Sequence, residues 1–137
     1  MRDDAIAAVV VAQRALFYHE GADADLDRPG HVRAGSGLAV IPDGIALIQD
    51  DANFLVLLSA AGAPVRAVSL PAGESGLRQF DDVRGNKEYK LDLEASVAVE
   101  WNGETALLAF GSGSGSRREQ VAVVRGWIRM TESHPCS

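Results

Sequence analysis

Two short hairpins constrain this chain more than any other feature. Leu38-Ala39-Val40-Ile41-Pro42 runs into Asp43-Gly44 and leaves through Ile45-Ala46-Leu47-Ile48. Val97-Ala98-Val99-Glu100-Trp101 does the same through Asn102-Gly103 into Glu104-Thr105-Ala106-Leu107-Leu108. Asp-Gly and Asn-Gly supply the positive φ angles that a two-residue type I′ turn needs. Aligning Val40 with Val99 and Gly44 with Gly103 gives an offset of 59 residues, the mark of an internal repeat. Pro42 has no ladder donor, so its strand belongs at a sheet edge.

The repeat extends past the hairpins. Strands are expected at Asn53–Ser59 and Val65–Leu70, around an Ala60-Ala61-Gly62-Ala63-Pro64 turn, then at Gln120–Val124 and from Trp127. Ala39–Ile48 and Phe54–Leu58 are apolar on both faces. An antiparallel sheet needs that only when it is covered on both sides. Small four-stranded antiparallel sheets stacked in this way are the blades of a β-propeller. The expectation is therefore an all-β chain forming a partial β-propeller. Residues 1–35 form an incomplete N-terminal blade and loop, 36–70 a blade, 71–95 a long polar loop, 96–130 a second blade and 131–137 a tail without strand periodicity. Within the first part, Ile6–Tyr18 reads as two strands, because Val9-Val10-Val11 and Leu16-Phe17-Tyr18 favour extended backbone. A ring closes with roughly 4–8 blades of about 40–50 residues each, more than 137 residues provide. The favoured reading is a fragment of a longer protein. Assembly of several chains and an unusual two-layer β domain are the alternatives, and uncovered blade faces imply self-association.

Composition removes several classes of function. A net charge of −6, from 13 basic and 19 acidic side chains, argues against a surface tracking nucleic-acid phosphates. One cysteine, Cys136, excludes an intrachain disulfide and a cysteine metal cluster. His19, His31 and His134 have no partners at zinc-ligand spacing. The apolar run Ala5–Ala12 follows Asp3 and Asp4 and is too short to span a membrane, which needs about 20 residues. A cytoplasmic protein without membrane or nucleic-acid partners is expected, leaving an unknown small molecule or protein as partner.

Three segments carry candidate chemistry. Gln49-Asp50-Asp51-Ala52-Asn53 joins two strands, and adjacent aspartates repel unless a cation or donors stabilise them. Asp50 and Asp51 are candidate metal groups, with Asn53 as a neutral oxygen donor; the alternative is an Asx-turn. Pro71–Leu93 is longer than an ordinary connection. Its charges are interspersed with Leu77, Phe80, Tyr89 and Leu91, a mixture that favours an ordered loop packed over a blade. Gly111-Ser112-Gly113-Ser114-Gly115-Ser116-Arg117-Arg118 has the glycines of an anion-binding nest but lacks a P-loop lysine. Asp23-Ala24-Asp25-Leu26-Asp27 starts like a calcium loop and fails at Arg28 and Ala34, so it reads as a polar loop.

The runs 27–37, Gln49–Phe54, Arg84-Gly85-Asn86-Lys87, Lys90-Leu91-Asp92-Leu93-Glu94-Ala95 and Phe110–Ser114 together resemble an uncharacterised bacterial β-propeller family. More distantly, Asp92-Leu93-Glu94-Ala95 is similar to the Asp-x-Glu-Gly motif of esterase-like, phytase-like propellers, with Ala95 where that motif has glycine. The resemblance implies a propeller of about twice this length, with polar residues on the inner blade ends facing a channel. It makes Asp50, Asp51, Asp92 and Glu94 candidate cation or acid–base groups, the metal set being Asp50, Asp51 and Glu94. Arg78, Asn86, Lys87, Lys90, Asp92 and Arg118 are candidate ligand contacts. Two functions follow. One is a ligand-binding or interaction scaffold. The other is a metal-assisted ester or phosphoester hydrolase using a divalent cation such as Ca or Mn. They differ in one respect: a catalytic cluster gathers three or more oxygen ligands without basic partners, whereas a scaffold pairs each carboxylate with Lys or Arg.

Overall fold

The computed structural model describes residues 3–59 and 64–126. The turn residues 60–63, the strand expected from Trp127 and the tail with His134 and Cys136 lie outside the described residues. The described residues form seven strands: β1 (Gly35–Ile41), β2 (Gly44–Gln49), β3 (Phe54–Ser59), β4 (Arg66–Ser69), β5 (Leu93–Trp101), β6 (Glu104–Gly111) and β7 (Val121–Val124). They make two antiparallel sheets, ordered β1-β2-β3-β4 and β5-β6-β7. Short 3-10 turns at Glu74–Gly76, Lys87–Tyr89 and Ser116–Arg118 are the only helical pieces among the described residues. None of these is long and apolar enough to cross a membrane.

The alternation of side chains across each strand decides the packing. Ala39, Ile41, Ala46, Ile48, Leu55, Leu57 and Val68 share one face of the first sheet. They meet Ala98, Leu107, Ala109, Ala122 and Val124 of the second in one continuous core. The opposite face of the first sheet, through Leu47, Val56, Leu58 and Ala67, is covered by Leu16, Tyr18 and Val32. Being covered on both sides explains why β2 and β3 carry apolar residues at consecutive positions. At one margin of the stack, edge strands β1 and β5 run side by side, and the Ser36 hydroxyl donates to the Leu93 carbonyl at 2.6 Å.

Two local expectations change. The second hairpin turns at Asn102-Gly103, both at positive φ, as the sequence predicts. In the first, Ile41 pairs with Gly44, so the loop is Pro42-Asp43 and Gly44 belongs to β2. Proline's fixed φ suits the first loop position of a turn, which starts the reversal one residue early. The hairpins therefore superpose at 60 residues, Ile41 on Trp101 and Gly44 on Glu104, rather than 59. The N-terminal expectation fails more fully. Residues 5–16 form no strand and are almost all exposed, and only Phe17 and Tyr18 make isolated bridges, to His31 and Val65. A β-branched run forms a strand only where it finds a partner edge, and Val9–Val11 finds none.

Gly44 has φ +157, and a Cβ there would run into the Leu58 carbonyl. Gly44→Ala must part β2 from β3 and is expected to lower stability by about 1–3 kcal/mol, the usual range for overpacking. Thermal denaturation followed by circular dichroism checks this.

Candidate functional site

Opposite the hairpin tips, three connections meet. The β2–β3 loop brings Asp50 and Asp51, the end of the β4–β5 connection brings Lys90 and Asp92, and the β6–β7 loop brings Ser112 and Arg118. The chain enters β5 through Asp92 at φ +54, a left-handed conformation that aspartate tolerates better than most residues. Phe80, fully buried, holds the middle of the β4–β5 connection down, and its amide donates to the Asp51 carbonyl at 3.0 Å.

Lys90 is the centre of the cluster. Its Nζ lies 2.7 Å from Asp50 Oδ1, 3.3 Å from Asp51 Oδ1 and 3.0 Å from Asp92 Oδ1. An ammonium has three N–H donors, and here three carboxylates take them. Asp92 also faces the Arg118 guanidinium at 3.2 Å and accepts from the Ser112 hydroxyl and, through its carbonyl, from the Ser112 amide. The Lys90 and Asp92 side chains are only 10% and 8% exposed, so these charges are poorly screened by water.

Protonation follows from the geometry. Burial disfavours the charged form of Lys90, but the hydrogen bonds and charges of Asp50, Asp92 and Asp51 outweigh it and raise the ammonium above the usual lysine value. Burial likewise opposes ionisation of Asp92. Hydrogen bonds from Asp50, Ser112 and Lys90 prevail and hold its carboxyl well below the usual carboxylate range. Asp50 moves the other way: burial and its hydrogen bond to Asp92 raise it, against the pull of Lys90. The two aspartates thus divide a role, Asp50 retaining its proton more readily and Asp92 holding the charge.

Glu94 stands beside this group on β5. One carboxylate oxygen each from Asp50, Asp92 and Glu94 lies within 4.8 Å of the others. The remaining sequence candidates lie elsewhere. Arg78 donates through Nε to the Leu70 carbonyl and through its terminal nitrogen to the Leu26 carbonyl, at 2.8 and 3.2 Å. Asn86 is buried, accepting from the Asp81 amide and donating to the Gln79 carbonyl. Lys87 pairs with Asp82 at 3.2 Å on the surface, and Asn53 donates to the Pro71 carbonyl. The glycine-serine loop does not open as an anion nest: the Ser114 amide donates to Ser112 Oγ, the Gly113 amide to the Arg118 carbonyl and the Arg118 amide to the Gly115 carbonyl.

Asp27, which the sequence assigns only to a polar loop, is a largely buried anchor in the structure. Its Oδ2 accepts from the Arg78 and Gln79 amides and from Arg84, each at 2.8 Å, and its Oδ1 from Gln79 Nε2 and Arg84 at 3.1 Å. Burial raises its carboxyl, but Arg84 and the two amides overcome that and leave it below its ordinary value. It fastens the N-terminal loop to the β4–β5 connection, across 51 residues of sequence. Two of its five donors are backbone amides and the others come from Gln79 and Arg84, more than 50 residues away, which no local motif announces.

The sequence profile of a family of unknown function, DUF6929, matches residues 31–133 and so covers both sheets and the whole Lys90 cluster. The chain belongs to the DUF6929 family. No curated protein and no solved structure matches it. Within the region matched to DUF6929, the cluster brings Asp50, Asp51, Asp92 and Lys90, from two separate connections, onto one charge.

Proposed function

We propose that this DUF6929 chain is a cytoplasmic ligand-binding or interaction scaffold, built as part of a β-propeller, and that the Lys90 cluster is a staple joining its loops. One observation carries the reading: the Lys90 ammonium stands where a cation would stand and is saturated by Asp50, Asp51 and Asp92. With Arg118 as a second partner of Asp92, three of the four carboxylates have basic partners. Face-to-face stacking of small antiparallel sheets, with their first strands side by side at one margin, supports the propeller architecture. Loop ion pairs of this kind hold structure more often than they perform chemistry.

The second reading, a metal-assisted ester or phosphoester hydrolase, draws on the closeness of Asp50, Asp92 and Glu94. It requires a divalent cation such as Ca or Mn to displace the ammonium, which then becomes free to neutralise developing charge. Isothermal calorimetry of calcium and manganese into the protein separates the two. The scaffold reading expects no saturable heat with the wild type. Saturable binding that disappears in Asp50→Asn and in Glu94→Gln overturns it in favour of the hydrolase.

A further inference from the structure

Residues 5–12 read Ala-Ile-Ala-Ala-Val-Val-Val-Ala, without a charge, a glycine or a proline. All eight are exposed, and Ile6, Val9, Val10 and Val11 are between 77% and 94% exposed. The run has the makings of a strand: apolar, rich in β-branched residues and unbroken. Its backbone is as open as its side chains. The Ala5 and Ile6 amides turn back onto Asp3, and among the described residues no amide from Ala7 to Ala12 has a hydrogen-bond partner.

Such a run needs a strand of matching pattern, and this one matches itself. Laid antiparallel on a second copy with Val9 opposite Val9, Ile6 faces Ala12, Ala7 faces Val11 and Ala8 faces Val10. Each larger side chain meets an alanine except at the centre, and directly opposite residues share one face of the ribbon. The ends favour the same direction. Asp3 and Asp4 precede the run and Arg14 follows it. Antiparallel pairing brings the acidic end of each strand to the basic end of the other, with Asp4 opposite Arg14, whereas in-register parallel pairing stacks like charges.

We infer that residues 6–12 pair antiparallel with the same residues of a second copy of this chain, forming a symmetric dimer. Each copy gives and receives the same surface, so the contact closes at two copies. Two strands alone make a weak ribbon, and a dimer that fills at high concentration is expected. The inference rests on this segment alone and is independent of what the Lys90 cluster binds.

Sedimentation velocity from about 1 μM to about 1 mM, the span from tight to weak association, tests it. The wild type is expected to pass from monomer to dimer. Val9→Pro removes an amide at the centre of the ribbon and should leave monomer at every concentration. Val9 is exposed and belongs to neither core cluster, so the melting temperature of that variant should equal the wild type's. Direction is read by cysteine substitution in a Cys136→Ser background. Val9→Cys should give a disulfide-linked dimer under mild oxidation, since facing residues of a ladder stand within disulfide reach. Ile6→Cys should not, because its two copies lie about 20 Å apart in this register. A wild type monomeric throughout overturns the inference. So does an assembly that Val9→Pro leaves intact, which would place the contact on another surface. Cross-linking of Ile6→Cys as readily as Val9→Cys shows parallel pairing and overturns it too. Species larger than a dimer that Val9→Pro abolishes also overturn it, because they show the segment adding to a sheet edge of the next copy.

Discussion

Lys90→Met is expected to destabilise the protein by about 3 kcal/mol at neutral pH, at the lower end of what breaking a buried ion pair costs. The low end applies because Asp50 and Asp51 retain contact with water, at 34% and 24% exposure, whereas Asp92 keeps only 8%. Without the ammonium, three carboxylates converge with only Arg118 to oppose them, and the variant gains what the wild type lacks, an uncompensated cation site. Millimolar calcium should therefore raise the melting temperature of the variant by mass action and leave the wild type unchanged. Equal shifts in both would contradict the role given to Lys90. The pH dependence carries a sign. Asp92 and Asp27 lie below their ordinary range when folded, so their stabilisation is present above about pH 4 and is lost as pH falls through that region. Asp50, raised when folded, offsets a little of that loss by taking up a proton. Lys90, raised when folded, contributes fully below its ordinary value near 10.4 and loses that contribution only as pH rises beyond it. Lys90→Met removes the alkaline loss. Because its crowded carboxylates protonate more easily, the gap to wild type should narrow on acidification.

Phe80→Ala is expected to cost about 3–5 kcal/mol, the range for deleting a fully buried aromatic ring. Phe80 is completely enclosed although it sits in a connection, and its ring lies over Gly73, where an added Cβ would be 3.0 Å away. It holds the connection that presents Lys90 and Asp92, so the loss should appear there first. Hydrogen exchange is expected to accelerate over residues 71–92 before it does in β2 and β3, and uniform acceleration across both sheets would show that the ring supports the whole core instead.

The sequence by itself determined the strands and their antiparallel pairing. Alternation, β-branched residues and turn dipeptides act within a few residues, and they sufficed to find the seven described strands and the Asn102-Gly103 turn, although β1 starts at Gly35 rather than Leu38 and β5 at Leu93, inside the segment 71–95 read as a loop. They fell short by one residue at Pro42, where two turn-forming signals overlap and proline's fixed φ prevails. They misjudged residues 6–18, because strand propensity does not specify a partner edge. Asp50, Asp51, Asp92 and Arg118 were legible as charged residues near turns. That Lys90 lies among the aspartates, 40 residues from Asp50, was not. Tertiary structure decided that pairing, together with the Asp27 clamp and the choice of which sheet faces meet in the core. The reason is physical: whether a charge is a free ligand or a saturated partner depends on which loops meet at one end of the stack, and that is fixed only once the apolar faces have chosen each other.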